Sequence, residues 1–208
     1  MEDVIQTYLL PYHPAYPVVC FAEACKQLFG EVRPAERPRP GAPAREDYED
    51  ERKGVCHQLL MCEPLRGWRH VRVSERRTRR DYALCVRALV EGYYPRAKKI
   101  RLVQDNLNTH DGASLYEAFA PAEARRLLDK IEFHYTPKHG SWVNMAETEI
   151  RIRNGQCLNR RLDSQSAIAK EVATWETKRN AQQARIHGTF TLAAARRKLR
   201  KLYPSIED

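Results

Sequence analysis

The sequence predicts an α/β fold, a mixed sheet flanked by helices on both faces with a C-terminal helical extension. Short β-branched and aromatic runs recur at residues 18–21, 55–62, 68–75, 100–104 and 131–137 and read as strands. The stretches at 80–94, 114–130 and 141–158 change to helical spacing. Strands alternating with helices in this way favour a sheet covered on both sides. The chain has 208 residues, 42% apolar and 30% charged, enough to bury a sizeable core.

Residues 1–17 form a lead-in segment with Pro11, Pro14 and Pro17. The first strand is VVCF at 18–21. Residues 31–53 carry four prolines and dense mixed charge, which predicts an exposed loop. The next two strands are separated by EPLRG, whose Pro and Gly predict a hairpin turn. In the second of these strands Trp68, His70 and Arg72 face one way, and Arg69, Val71 and Val73 the other. Tyr82, Val86, Leu89 and Tyr93 then recur at helical spacing, ending near Gly92 and Pro95. IRLVQ at 100–104 is a strand, 114–130 is helical, and IEFHYTP at 131–137 is a strand. A helix begins near Asn144. Two helices close the chain, one with Ile168, Val172 and Trp175 on a face, the other with Leu192, Ala195, Leu199 and Leu202. The expected division is a core over 18–160 and C-terminal helices over 161–208 packed on it. This element order is that of the ribonuclease H-like fold.

A formal charge of +9 favours a polyanionic partner such as nucleic acid. No apolar run approaches the ~20 residues of a membrane span. The start, MEDVIQTYLL, lacks a basic n-region, so a cytoplasmic protein is expected. Cys20, Cys25, Cys56, Cys62, Cys85 and Cys157 include no C-x-x-C pair and read as reduced core thiols.

Two stretches carry candidate chemistry. In VQDNLNTH (103–110), Asp105 directly follows a buried strand, where open α/β sheets bind ligands. A purely structural account makes Asp105 or Asn106 an Asx-turn and Asn108 a helix start. In HYTPKHGSWVNMAETEI (134–150), Glu147 falls on the first turn of a helix capped by Asn144. Its structural account is a capping box, with Glu147 returning to the cap's backbone N–H. Glu149, two residues further on, faces elsewhere. Helix, strand and helix start separate Asp105 from Glu147, compatible with both carboxylates meeting at one sheet edge. Hard divalent ions such as Mg²⁺ take carboxylate oxygens, and such ions promote phosphodiester displacement.

These two stretches resemble the catalytic core of DDE transposases, in the insertion-sequence branch of the mariner superfamily. That branch has an Asp in a D-N-x-x-x-H context and a third acid after a Tyr-x-Pro…Leu-Asn-Pro-x-Glu-like stretch, matched here by YTP and VNMAE. VVCFAEACKQL, ERRTRRDYA and RRKLRKLYPS are also similar to it. The resemblance implies an RNase H-like fold and DNA cleavage and strand transfer dependent on Mg²⁺ or Mn²⁺. It carries the second acid onto Asp105 and the third onto Glu147, as catalytic residues and metal ligands. Paired subunits, hence a possible homodimer, are also implied.

The first acid is not carried over. The family pattern is Asp followed by Glu, and this chain reads Ala22-Glu23. Ala22 cannot bind metal, and Glu23 is expected to point to the opposite face unless a bulge re-aims it. An inactivated catalytic domain is therefore expected. With only 17 residues before the first strand, an N-terminal helix-turn-helix is expected to be absent, leaving phosphate contacts to basic clusters. Residues 66–80 hold seven arginines against Glu75, and residues 185–203 hold a second cluster. Arg76, Arg77, Arg79 and Arg80 at a strand-to-helix junction are candidate DNA contacts, as are Lys138 and His139 beside Glu147. Solvated surface is the plain account of both clusters. The alternative function is a non-catalytic nucleic-acid-binding protein that retains the transposase fold.

Overall fold

A computed structural model of the chain describes residues 1–33, 38–41, 49–138, 140–188 and 190–198. Five strands form one sheet: β1 (Val18–Glu31), β2 (Asp50–Glu63), β3 (Trp68–Ser74), β4 (Ile100–Gln104) and β5 (Ile131–Tyr135). Their order is β3-β2-β1-β4-β5. The first three pair antiparallel, while β4 runs parallel to both β1 and β5. The β2–β3 pair is joined by the tight turn at residues 64–67. The parallel part needs crossovers, supplied by α2 (Arg79–Arg87), α3 (Ala113–Ala118) and α4 (Pro121–Leu128). This is the RNase H-like mixed sheet.

Alternation along β1 divides the core in two. Val19 and Phe21 point into one layer with Tyr82, Val86, Leu89, Leu115 and Leu127, so α2, α3 and α4 cover that face. Cys20 and Ala22 point into the other layer. There they meet Ala146 and Ile150 of α5 (Met145–Arg153), Ile168 and Trp175 of α6 (Gln165–Ala181), and Ala195 of α7 (Leu192–Lys198).

Several boundaries differ from the sequence reading. The lead-in contains α1 (Glu2–Leu9), whose Val4 and Ile5 are buried in the second layer. Nδ1 of His134 on β5 lies 2.8 Å from an Asp3 carboxylate oxygen and 3.2 Å from the Thr7 hydroxyl, tying this helix to the sheet. The segment predicted as a loop over 31–53 is shorter, because β1 continues to Glu31 and β2 starts at Asp50. The added arms are mostly polar and partly exposed, and the ladder slips between Gln27 and Phe29. Backbone pairing, not burial, sustains them, so hydrophobic periodicity does not reveal them. Residues 34–37 and 42–48 of that segment, and Leu199 and Leu202 of the last helix, lie outside the described residues. Pro121 divides the helical stretch 114–130 into two. All six cysteines are free; Cys20, Cys56, Cys62 and Cys85 are buried, but Cys25 is exposed.

The outer edge of β3 is closed by side chains of α6. The Asn180 amide accepts from Arg69 N at 2.9 Å and donates to Arg69 O at 2.8 Å, and Glu176 accepts from Val71 N at 2.9 Å. Such cover removes the free edge that would otherwise pair with another chain. Arg69 and Glu149 are both fully buried and ion-paired at 3.2 Å, with Arg179 at 2.8 Å from the same carboxylate oxygen. This corrects the seven-arginine surface cluster: Arg69 belongs to the interior. It also places Glu149 away from Glu147, as its position on the helix implies.

The β2–β3 turn depends on Gly67, whose φ is +71°. A Cβ there would lie 2.4 Å from the Gln183 carbonyl carbon and oxygen. We expect Gly67→Ala to destabilise the chain by roughly 2–3 kcal/mol, combining left-handed backbone strain with a clash against main chain. Urea unfolding checks this through a lowered midpoint at unchanged slope.

Candidate active site

Strand β4 ends at Gln104, and Asp105 follows on a half-buried position at the carboxyl edge of the sheet. Its carboxylate is bonded to Nδ1 of His110. The other ring nitrogen, Nε2, lies 2.9 Å from Oε1 of Glu23. His110 is fully buried and held on every side. Phe21 meets its ring edge-to-face at 4.9 Å, Tyr82 stacks on it at 5.1 Å, and Gln104 donates to its carbonyl at 2.6 Å. Gln104 is itself fixed by the Tyr82 hydroxyl at 2.8 Å. Burial alone would lower the imidazole pKa. Hydrogen bonds and charge from Asp105 and Glu23 overcome it, pushing the group up to about 9, so an imidazolium donates to both carboxylates at neutral pH.

This arrangement gives the D-N-x-x-x-H spacing a physical meaning. The five-residue turn returns His110 beneath Asp105, with the His110 N–H donating to the Leu107 carbonyl at 2.9 Å. Helix α3 is started by Asp111, which accepts from Ser114 N at 3.0 Å. Capping therefore does not occupy Asp105, Asn106 or Asn108.

The other candidate acid, Glu147, arrives on α5. Asn144 is buried, caps the helix by accepting from Ala146 N at 3.0 Å, and donates from its amide to the Phe21 carbonyl at 2.7 Å. The Tyr8 hydroxyl of α1 accepts from Met145 N at 3.2 Å. These contacts set the α5 N-terminus directly on β1. The Asn144 N–H donates to Ser141 O at 2.8 Å, so Glu147 does not complete a capping box. Its carboxyl is half-buried and raised above the ordinary carboxylate range, first by burial and then by the negative charge of Asp105. The electrostatic coupling links the two predicted acids across 42 residues of chain.

Ala22 is 2% exposed and lies in the layer beneath α5 with Ala146. Glu23 points to the opposite face, as strand alternation implies, and holds His110 instead. Neither position supplies a third carboxylate beside Glu147. Among the described residues no group of three or more His, Cys, Asp or Glu side chains gathers as a metal-binding cluster. Asp105 and Glu147 nevertheless offer the hard oxygen donors that suit Mg²⁺ or Mn²⁺, and their mutual repulsion is what a cation would relieve.

The basic residues frame this edge unequally. Arg77 is 3.7 Å from Glu23 and lines an open cleft of about 330 Å³ with Asn106, Asn108 and Thr109. Arg76 and Arg80 are exposed, whereas Arg79 is ion-paired with Glu117. Thr78 and Asp81 form a reciprocal capping box at the start of α2, which fixes the arginine-bearing junction. Lys138 is exposed on the turn before α5, and His139 lies outside the described residues. Sequence reasoning missed the joint role of Glu23 and His110. The spacing of Asp105 and His110 was visible, but a contact 87 residues apart was not.

Two substitutions separate capping from chemistry. Asn144→Ala should cost about 2–3 kcal/mol, losing the cap and leaving the Phe21 carbonyl unsatisfied. Glu147→Gln should leave the melting temperature unchanged or raise it slightly near neutral pH. A raised carboxyl pKa means the native state disfavours the ionised form, so stability falls as pH rises through that pKa, and the neutral amide removes this effect. Thermal unfolding of both variants checks the contrast.

A protein-family model described as "DDE superfamily endonuclease" matches residues 17–169. No curated protein matches the sequence. Among solved structures, the chain is similar to the Mos1 mariner paired-end complex with Mn at 15% identity and a TM-score of 0.53, covering 81% of this chain and 51% of that one. It is similar to the Mos1 strand transfer complex at 14% identity and TM-score 0.54, covering 82% and 51%. The Mos1 paired-end complex with the left transposon end gives 14%, 0.54, 82% and 52%. The chain thus spans about half the length of these solved chains. At such identities the likeness establishes the shared fold, and the family match covers most of the sequence with both candidate acids inside it: the chain belongs to the DDE superfamily endonucleases.

Proposed function

We propose that Asp105 and Glu147 are the two remaining acids of a Mg²⁺ or Mn²⁺ site for DNA cleavage and strand transfer, and that Ala22, in place of the first acid, leaves this site nearly inactive. The observation that carries the reading is the charge coupling of Asp105 with half-buried Glu147, on an edge where Ala22 packs beneath α5. A divalent ion bound by these carboxylates would stabilise charge on a phosphodiester and lower the pKa of a water. The protein's own part is orientation. His110 holds one Asp105 oxygen and so fixes the direction of the carboxylate. Asn144 fixes the first turn of α5 and hence Glu147. In a complete site these acids align first a water and then a 3′-hydroxyl for in-line attack.

DNA is the proposed partner, gripped by Arg76, Arg77, Arg80 and Lys138 through phosphates, with Arg79 free to exchange its Glu117 partner. The Mos1 structures are described as paired-end complexes, which supports a homodimer here. No helix among the described residues is long and apolar enough to cross a membrane. The incomplete ligand set also favours a second reading, a nucleic-acid-binding protein that keeps the fold without the chemistry.

Mn²⁺-dependent nicking of supercoiled DNA by the unaltered chain and by Ala22→Asp tests the proposal. A bridging ligand is worth several kcal/mol of transition-state stabilisation, so restoring it should raise the rate on the order of a thousandfold. Equal nicking by the two proteins contradicts the inactivation. A salt-sensitive DNA shift with no cleavage even in Ala22→Asp favours the binding-protein reading.

A further inference from the structure

Trp142 is 51% exposed on the short turn Ser141–Val143, between Lys138 and the helix that bears Glu147. The turn is hydrogen-bonded. Gly140 N donates to Pro137 O at 2.8 Å, Val143 N to Gly140 O at 3.0 Å, and Asn144 N to Ser141 O at 2.8 Å. Val143 and Asn144, next in the chain, are buried. A large indole therefore stands out in solvent on a hydrogen-bonded turn.

The C-terminal extension adds to it. Phe190 meets Trp142 edge-to-face, with ring centres 5.7 Å apart and planes at 78°, and Lys198 of α7 places its ammonium 5.9 Å from the Phe190 ring centre. Gly188 brings this segment against α5, since a Cβ there would lie 2.5 Å from the Met145 methyl. An edge-to-face contact supports the indole while leaving it half exposed. Lys198 brings positive charge to the pair, and Lys138 is exposed four residues before Trp142 in the chain.

We propose that Trp142, braced by Phe190, is a stacking platform for an unpaired nucleobase beside the Asp105–Glu147 edge, with Lys138 and Lys198 holding the adjoining phosphates. Aromatic side chains interleaved with cations suit single-stranded nucleic acid, because every base has a π-face. Bases inside a duplex are already covered on both faces, so the platform selects a strand end or a displaced flank. The inference rests on the DNA reading above and deepens it by naming the form of DNA engaged.

The test is binding of two oligonucleotides by the full chain, one a blunt duplex and one with a short unpaired flank carrying 2-aminopurine. The unaltered chain should bind the flanked form more tightly and quench the 2-aminopurine. Trp142→Ala should lose about tenfold in affinity for the flanked form only, and the quenching with it. Trp142→Phe should retain most of both. No preference for the flanked form, or equal loss on both DNAs in Trp142→Ala, overturns the platform while leaving duplex binding intact as a finding. Absence of binding to either DNA by the unaltered chain overturns the DNA reading and the platform together.

Discussion

The hydrogen bond from the buried Asn144 amide to the Phe21 carbonyl fixes where α5 lands on the sheet. The placement of Glu147 follows from that landing. It puts Ala146 in the layer with Ala22 and brings Glu147 within electrostatic reach of Asp105. The same asparagine caps the helix, so one side chain both starts α5 and registers it. Buried polar groups that satisfy two partners in this way specify position more sharply than apolar contact does.

A second fixed element lies on the opposite face of β1. Glu23 faces away from α5, yet through His110 it restrains Asp105. Adjacent positions on one strand thus divide the work. Position 22 faces the α5 side, where a carboxylate would complete the donor set, and position 23 faces the α2 side, where it anchors the histidine. A small apolar side chain at position 22 suits the scaffold, because Ala22 packs in a continuous apolar layer.

Much of this was legible from residues. Strand β4 and Asp105 at its end could be read from IRLVQ and the following polar cluster, and Asn144 from the break before an amphipathic run. The opposite orientations of Ala22 and Glu23 follow from strand alternation alone. Other features depend on contacts that no local pattern records. Helix α1 is followed by three prolines and holds only two fully buried apolar residues, so its periodicity is weak. The long arms of β1 and β2 satisfy backbone groups with each other while exposing polar side chains, so neither alternation nor an apolar run marks them. Arg69 sits in a run of surface-like arginines, and its burial is set by Glu149 and Asn180, distant in sequence.

The central claim is that Asp105 and Glu147 share one cation-binding pocket. Titration of the chain with Mn²⁺, followed by electron paramagnetic resonance of the free ion, tests it most directly. The account predicts a weak site that disappears in Asp105→Asn and equally in Glu147→Gln. Mn²⁺ uptake unchanged by either substitution would contradict it.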